Sequence, residues 1–297
     1  MLLLIGTVGC GTSQEAESGA QKVAVVPMES LPDAPVQGLT KGMTLPLDAY
    51  TYTAKDRYIW QVAVQNQWRT CMRRYGLTRF NPPTVSSRTV VANIDAGMGR
   101  RYGLSDAKSA KSDGYHLPQI APEPSNWQPA SGAEEAVFSG TGPEVTDGKY
   151  KGKNVPKGGC RKEASTMYPL PDTPQATAAQ GRAFSASRSD KRVVQAVAAW
   201  SACMKARGYK VADPFKAAGL VMSSVSAPAA SPEEIRLATA DVMCKTQVRL
   251  IDIWHAAETV RQKQEIALHS SALTADRVKK DKAAAKAAAG YTKGAPR

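Results

Sequence analysis

The cysteines are the side chains whose types and spacing could do the most chemistry, and their neighbours repeat. Trp68-x-x-Cys71-Met72-x-x-x-Gly76 returns as Trp200-x-x-Cys203-Met204-x-x-x-Gly208. Each copy is followed by one more cysteine, in Cys160-Arg161-Lys162-Glu163 and Cys244-Lys245-Thr246-Gln247. Oxidised, these four thiols form two disulfides. Of the three pairings that four cysteines allow, the repeat favours Cys71–Cys160 and Cys203–Cys244, each joining a Trp-bearing helix to the start of a later one. The loops are long, so the chain-entropy argument gives each bridge roughly 4 kcal/mol of stabilisation. Reduced, Cys71-Met72, Cys203-Met204 and Met243-Cys244 are soft sulfur ligands of the kind that hold Cu(I). Adjacent helical residues point about 100° apart, so the two sulfurs of one pair converge poorly. Disulfides are therefore the expectation, a copper binder is the alternative, and Met72 and Met204 are expected to fill the core. Trp68 and Trp200 precede their cysteines on the same helical face. They are expected to pack over the bridges rather than to form a ligand platform.

The fifth cysteine, Cys10, ends the stretch Met1-Leu-Leu-Leu-Ile-Gly-Thr-Val-Gly. An apolar run closing in small residues before a cysteine matches the end of a lipoprotein signal, in which the thiol becomes a thioether to diacylglycerol. Residues 1–9 then form a partial signal. No Lys or Arg precedes the run, the run is short, and Thr7 stands where leucine is usual. A start codon further upstream reconciles these departures. The stretch Gly11-Thr-Ser-Gln-Glu-Ala-Glu-Ser-Gly19 reads as a polar tether. No other segment approaches the ~18 apolar residues of a membrane span, which makes a lipid on Cys10 the sole expected anchor.

Histidine chemistry has little support. His116, His255 and His269 lack any zinc-binding spacing, and no metal or cofactor is expected. His116 lies in Gly114-Tyr-His-Leu-Pro118, close in sequence to Arg100, Arg101, Tyr102 and Tyr115. These five residues are the candidate ligand pocket, suited to an anionic group and placed in loops, where function concentrates. Ser105-x-x-Lys108 has the spacing of penicillin-binding serine enzymes but lacks their companion elements. Gly97-x-Gly99-x-x-x-Gly103 has the wrong count for a dinucleotide loop.

The elements that must position these groups read as helices. Trp60, Val64, Trp68, Cys71 and Tyr75 recur at helical spacing, predicting a helix over 55–75 capped by Thr53 and closed by Gly76. A second begins near Ser189, with Val193, Val197, Trp200 and Met204 on its stripe and Gly208 at its end. Residues 20–50 read as an extended approach, and 77–159 as a long Pro/Gly-rich irregular segment. Within the latter, Ser105 caps a short helix and a hairpin is expected near 137–150. A brief helix runs from Cys160 to Tyr168. Ser226–Ser231 is a linker. Ser231-Pro-Glu-Glu234 starts a helix, with the glutamate reaching back to the cap. No Gly or Pro interrupts 232–288, predicting one long helix or two with a kink. Its end alternates Lys with Ala, shows no apolar stripe, and is expected to be solvated and frayed. The fold class is mainly α, with a long irregular middle and two disulfides. The expected organisation is a polar tether and approach over 10–44, a disulfide-stapled helical domain over 45–270, and a basic Lys/Ala-rich tail over 271–297.

Five segments give a resemblance: Leu45-Pro-Leu-Asp-Ala-Tyr50, Arg100-Arg-Tyr-Gly103, Gly114-Tyr-His-Leu-Pro118, Val155-Pro-x-Gly-Gly-Cys160 and Ala240-Asp241-x-x-Cys244-Lys245. Over residues 45–270 the chain resembles secreted lipoproteins of high-GC Gram-positive bacteria (actinobacteria of the Streptomyces type), a group with no assigned activity. The resemblance implies an extracytoplasmic lipoprotein and nothing more.

With 39 Lys and Arg against 26 Asp and Glu, the formal charge of +13 implies an anionic partner. Nucleic acid, an anionic membrane face and a cell-wall polymer all fit. A chain tethered outside the cell rarely meets nucleic acid, which leaves anionic lipid and wall polymer. The leading expectation is a non-enzymatic binding or scaffolding protein on the outer face of the cytoplasmic membrane. The rivals are an envelope enzyme with its site in 95–160 around His116, and a cytosolic basic protein with free thiols.

Overall fold

Thr53 starts the first long helix of the protein, α1 (Ala54–Arg74), by accepting the Asp56 amide at 3.1 Å while the Asp56 carboxylate accepts the Thr53 amide at 3.0 Å. The computed structural model describes residues 26–83, 85–117 and 127–293. Cys10, the signal-like run and the start of the tether lie outside the described residues. After α1 come α2 (Arg88–Ala96), α3 (Ala107–Ser112), α4 (Gly132–Ser139), α5 (Gly159–Met167), α6 (Pro174–Arg188), α7 (Lys191–Ala206), α8 (Met222–Val225), α9 (Pro232–Gln247), α10 (Leu250–Leu268) and α11 (Ser270–Lys293). Among the described residues the only sheet is a hairpin, β1 (Lys149–Tyr150) paired antiparallel with β2 (Lys153–Asn154). The protein is mainly α with two disulfides. No described helix is long and apolar enough to cross a membrane.

Two halves grow around the two copies of the cysteine pattern. In the first, Cys71 of α1 bridges to Cys160 at the start of α5, with Cα atoms 5.6 Å apart. In the second, Cys203 of α7 bridges to Cys244 of α9, with Cα atoms 5.7 Å apart. Both Trp-bearing helices end alike. Leu77 N–H donates to Met72 O at 3.2 Å and Tyr209 N–H to Met204 O at 3.0 Å, across Gly76 (φ 76°) and Gly208 (φ 89°). This closure needs a left-handed residue, which is why glycine ends each copy. Met72, Met204 and Trp200 are fully buried. Trp68 is half-buried, edge-on to Phe138 at 5.2 Å within the cluster that contains Cys71 and Cys160.

The first half contains Tyr58, Ile59, Val62 and Ala63 of α1, Val90 and Ile94 of α2, and Ala287 and Tyr291 of α11. The second gathers Val193 and Trp200 of α7, Leu237 of α9, and Leu250, Ile251 and Trp254 of α10. Helix α11 links the two, because Leu273 packs with Ala176 and Ala179 of α6 while its far end lies on α1.

Several expectations are corrected by packing. The Lys/Ala tail is not a solvated, frayed helix. Leu273, Asp276, Lys280, Ala283, Ala287 and Tyr291 are buried at spacings of three or four. A seam of alanines is weakly apolar by sequence, yet it lets α1 approach closely and set its larger side chains against α11. Asp276 also accepts the Gln175 and Ala176 amides at 2.8 and 3.1 Å, capping α6 from a distant helix. The stretch 26–44, expected as tether and approach, lies on the core with Leu31 and Thr40 buried, and the chain continues into a 3-10 turn over Pro46–Tyr50.

The middle segment carries α2 and α4 besides α3, and Asp106 rather than Ser105 caps α3. Val137 is helical, so the hairpin is confined to 149–154. Helix α6 was not anticipated, because its buried residues are mostly alanines. The stretch 232–288 holds three helices, not one or two. Arg249 takes a left-handed conformation (φ 54°), and the turn sends Leu250, Ile251 and Trp254 into the same core as Leu237 of α9.

Candidate functional site

The loop over 97–117, which holds the predicted pocket residues, is pressed onto α9 and α10 by buried carboxylates. Glu258 of α10 is fully buried and accepts both Arg101 Nε and Arg101 Nη2. Tyr102 Oη donates to Glu258 Oε2 at 2.9 Å, and Gln262 Nε2 donates to Oε1 at 2.9 Å. Gln262 in turn accepts the Leu47 amide at 2.8 Å, which fixes the 3-10 turn before α1. Burial works against the Arg101 charge, but the bonds and charge of Glu258 outweigh it and hold the guanidinium above its ordinary pKa. Burial and the neighbouring Glu258 both push the Tyr102 hydroxyl upward.

The second buried acid is Asp241 of α9. Its carboxylate accepts Trp200 Nε1 at 2.9 Å, Lys245 Nζ at 3.0 Å and Tyr115 Oη at 3.3 Å. Lys245 also donates to Leu104 O at 2.8 Å, and both members of the ion pair have no exposed side-chain surface. Burial raises the Asp241 pKa and lowers that of Lys245, and the attraction between them opposes both shifts. The third acid, Glu234, accepts the Tyr115 amide at 2.8 Å and the Ser224 hydroxyl, and lies 3.3 Å from His116 Nδ1. Its expected reach back to Ser231 is replaced by these contacts. Ser231 instead donates its amide to Ser224 Oγ at 2.9 Å.

Arg100, Arg101, Tyr102, Tyr115 and His116 therefore come together in one loop but do not form a shared open pocket. Arg101, Tyr102 and Tyr115 meet carboxylates of the chain itself. Arg100 donates at 2.8 Å to the carbonyls of Tyr115 and His116. His116 Nε2 faces Ala227 O at 3.0 Å. Beside Arg100 is a hollow of only about 20 Å³, lined by Asp95, Ser105 and Asp106 among others, the size of a water site. The anion this loop was expected to bind is supplied internally. The sequence signal for it was Asp241-x-x-x-Lys245, an i,i+4 pair on a helix, which reads as a surface ion pair until burial is known.

The soft-metal alternative needs free thiolates, and all four of these sulfurs are in disulfides. Met243 is exposed, and among the described residues no group of three or more His, Cys, Asp or Glu is placed to hold a metal ion.

An open, shallow basin lies elsewhere among the described residues, where α4 ends against α5. Its volume is about 590 Å³, and it is lined by Lys157, Arg161 and Lys162 together with Gly158 and the hydroxyl residues Ser139, Ser165 and Thr166. The three cations are exposed, and none is in an ion pair among the described residues. Glu163, next in sequence, is turned away to Arg74 and accepts Gln67 Nε2 at 2.7 Å. The phrase Cys160-Arg161-Lys162 carried this signal, overshadowed by its cysteine.

Charge is also partitioned by depth. Among the described residues, five carboxylates (Glu134, Glu234, Asp241, Glu258, Asp276) are buried against two cations (Lys245, Lys280). The exposed and half-buried side chains among the described residues therefore carry a larger cation excess than the described residues as a whole. Comparison with protein-family models, with curated proteins and with solved structures gives no match.

Proposed function

We propose that this is a non-enzymatic protein of the cell envelope, tethered through a lipid on Cys10 to the outer face of the cytoplasmic membrane. It binds or scaffolds an anionic component there through its basic exterior. The supporting observation is the partition of charge: carboxylates are drawn into the core as structural clamps while most cations stay in water. Such an exterior attracts polyanions over a Debye length of about 10 Å at 0.1 M salt, and the attraction weakens as salt rises. Two disulfides suit an oxidising compartment outside the cytosol. The rival envelope enzyme would use His116, Tyr115 and the arginine pair, all of which are engaged in internal bonds.

Two measurements test the reading. Pull-down on purified cell wall over a salt series should show binding that falls steadily with salt, and no binding at any salt refutes it. The mass of the natural mature protein should carry diacylglycerol on Cys10, and an unmodified thiol there refutes the anchor.

A further inference from the structure

The geometry points to the basin between α4 and α5 as a binding site for a polyol-phosphate chain, a polymer of hydroxyl-bearing units joined by phosphodiesters, with Lys157, Arg161 and Lys162 on the phosphates. This rests on the reading of a basic envelope protein and names the place and the ligand class.

Four observations carry it. The basin holds about 590 Å³, larger than one phosphate needs and within the range of small-ligand pockets. Its charge is of one sign, since Glu163 is committed to Arg74 and Gln67 on the other side of α5. Its frame is rigid. A Cβ at Gly140 would overlap the Gly159 amide nitrogen, so α4 and α5 interlock backbone to backbone, and the Cys71–Cys160 bridge pins the first turn of α5 to α1. Phe138 lies 5.9 Å from the Arg161 guanidinium, which restrains that side chain before any ligand arrives. A guanidinium matches a phosphodiester through paired N–H donors, and two ammonium groups supply mobile positive charge beside it. The Thr166 hydroxyl suits a polyol oxygen between phosphates, and Ser165, whose hydroxyl donates to Lys162 O at 2.9 Å, keeps an oxygen that accepts from one.

The test is calorimetric titration of the full chain with a glycerol-phosphate oligomer at about 50 mM salt, where screening is modest. The triple variant K157Q/R161Q/K162Q is compared with K205Q/K210Q/K216Q, which removes the same charge from exposed lysines in and after α7 of the other half. All six positions are exposed, and circular dichroism checks that both variants fold. The expected result is about a tenfold or greater loss of affinity in the first variant and less than about a twofold change in the second. Equal losses in both would overturn the site and leave the basic-exterior reading standing. Failure of the unaltered protein to bind either the oligomer or phosphatidylglycerol vesicles would overturn both. Binding of phosphatidylglycerol vesicles through the same three cations, with no binding of the oligomer, would overturn the ligand class.

Discussion

Replacing Lys245 by methionine keeps most of the side-chain volume and removes one charge from the interior. Its ammonium has no exposed surface and donates to Asp241 at 3.0 Å and Leu104 O at 2.8 Å. In the variant, Asp241 keeps the Trp200 and Tyr115 donors but loses its only cation. Breaking one side of a buried pair costs about 3–5 kcal/mol, a large part of the 5–15 kcal/mol typical of a whole domain. The sign with pH follows from the carboxyl. Burial already holds the Asp241 pKa above its ordinary value, and removing Lys245 raises it further. A group whose folded pKa is raised binds its proton more tightly in the native state. Stability is therefore present at low pH and lost as pH rises through the folded pKa. The deficit of the variant relative to the natural protein should be larger at neutral pH than at acid pH. It should shrink on acidification toward the ordinary carboxylate range, by at most about 1.4 kcal/mol per pH unit.

Urea unfolding of the oxidised protein, followed by tryptophan fluorescence and circular dichroism over that pH range, measures this deficit. The double variant Asp241→Asn with Lys245→Met removes both charges and leaves mainly Leu104 O without a donor, a cost of about 1–3 kcal/mol. It should be more stable than the single variant at neutral pH. A single variant no worse than the double one, or a deficit that does not change with pH, refutes the buried-pair reasoning.

Tyr291→Ala should cost about 3–5 kcal/mol in chemical denaturation, because Tyr291 is buried against Tyr58 and donates to Val26 O; a loss under 1 kcal/mol would mean that α11 is undocked in solution. Without reductant no alkylation of Cys71, Cys160, Cys203 or Cys244 should be seen by mass spectrometry. Serine pairs at Cys71/Cys160 and at Cys203/Cys244 should cost about 4.5 and about 4 kcal/mol, in the order of their sequence separations of 89 and 41 residues. Gly140→Ala should destabilise by more than 1 kcal/mol, whereas Gly181→Ala, in open space within α6, should be neutral or stabilising; the reverse order in thermal melts would contradict the interlock of α4 with α5.

The repeat of Trp, Cys, Met and Gly determined a good deal by itself. It gave both bridges, the two helices that carry them and the glycines that end them, because spacing within one helix is a local property. Thr53 and Ser231 were equally legible, since a cap acts within three residues. The mainly α fold class followed from helical spacing without sustained alternation. Only the tertiary structure decided the rest. Alanine-lined helices such as α6 and α11 hide their buried face, because alanine is nearly neutral between water and core until a partner covers it. The loop over 97–117 showed cations and hydroxyls that looked ready for an outside anion, while the acids that satisfy Arg101, Tyr102 and the Tyr115 hydroxyl lie 126 to 157 residues further along the chain. Whether a charge faces water or another charge depends on what folds over it, and spacing along one strand of sequence carries no record of that.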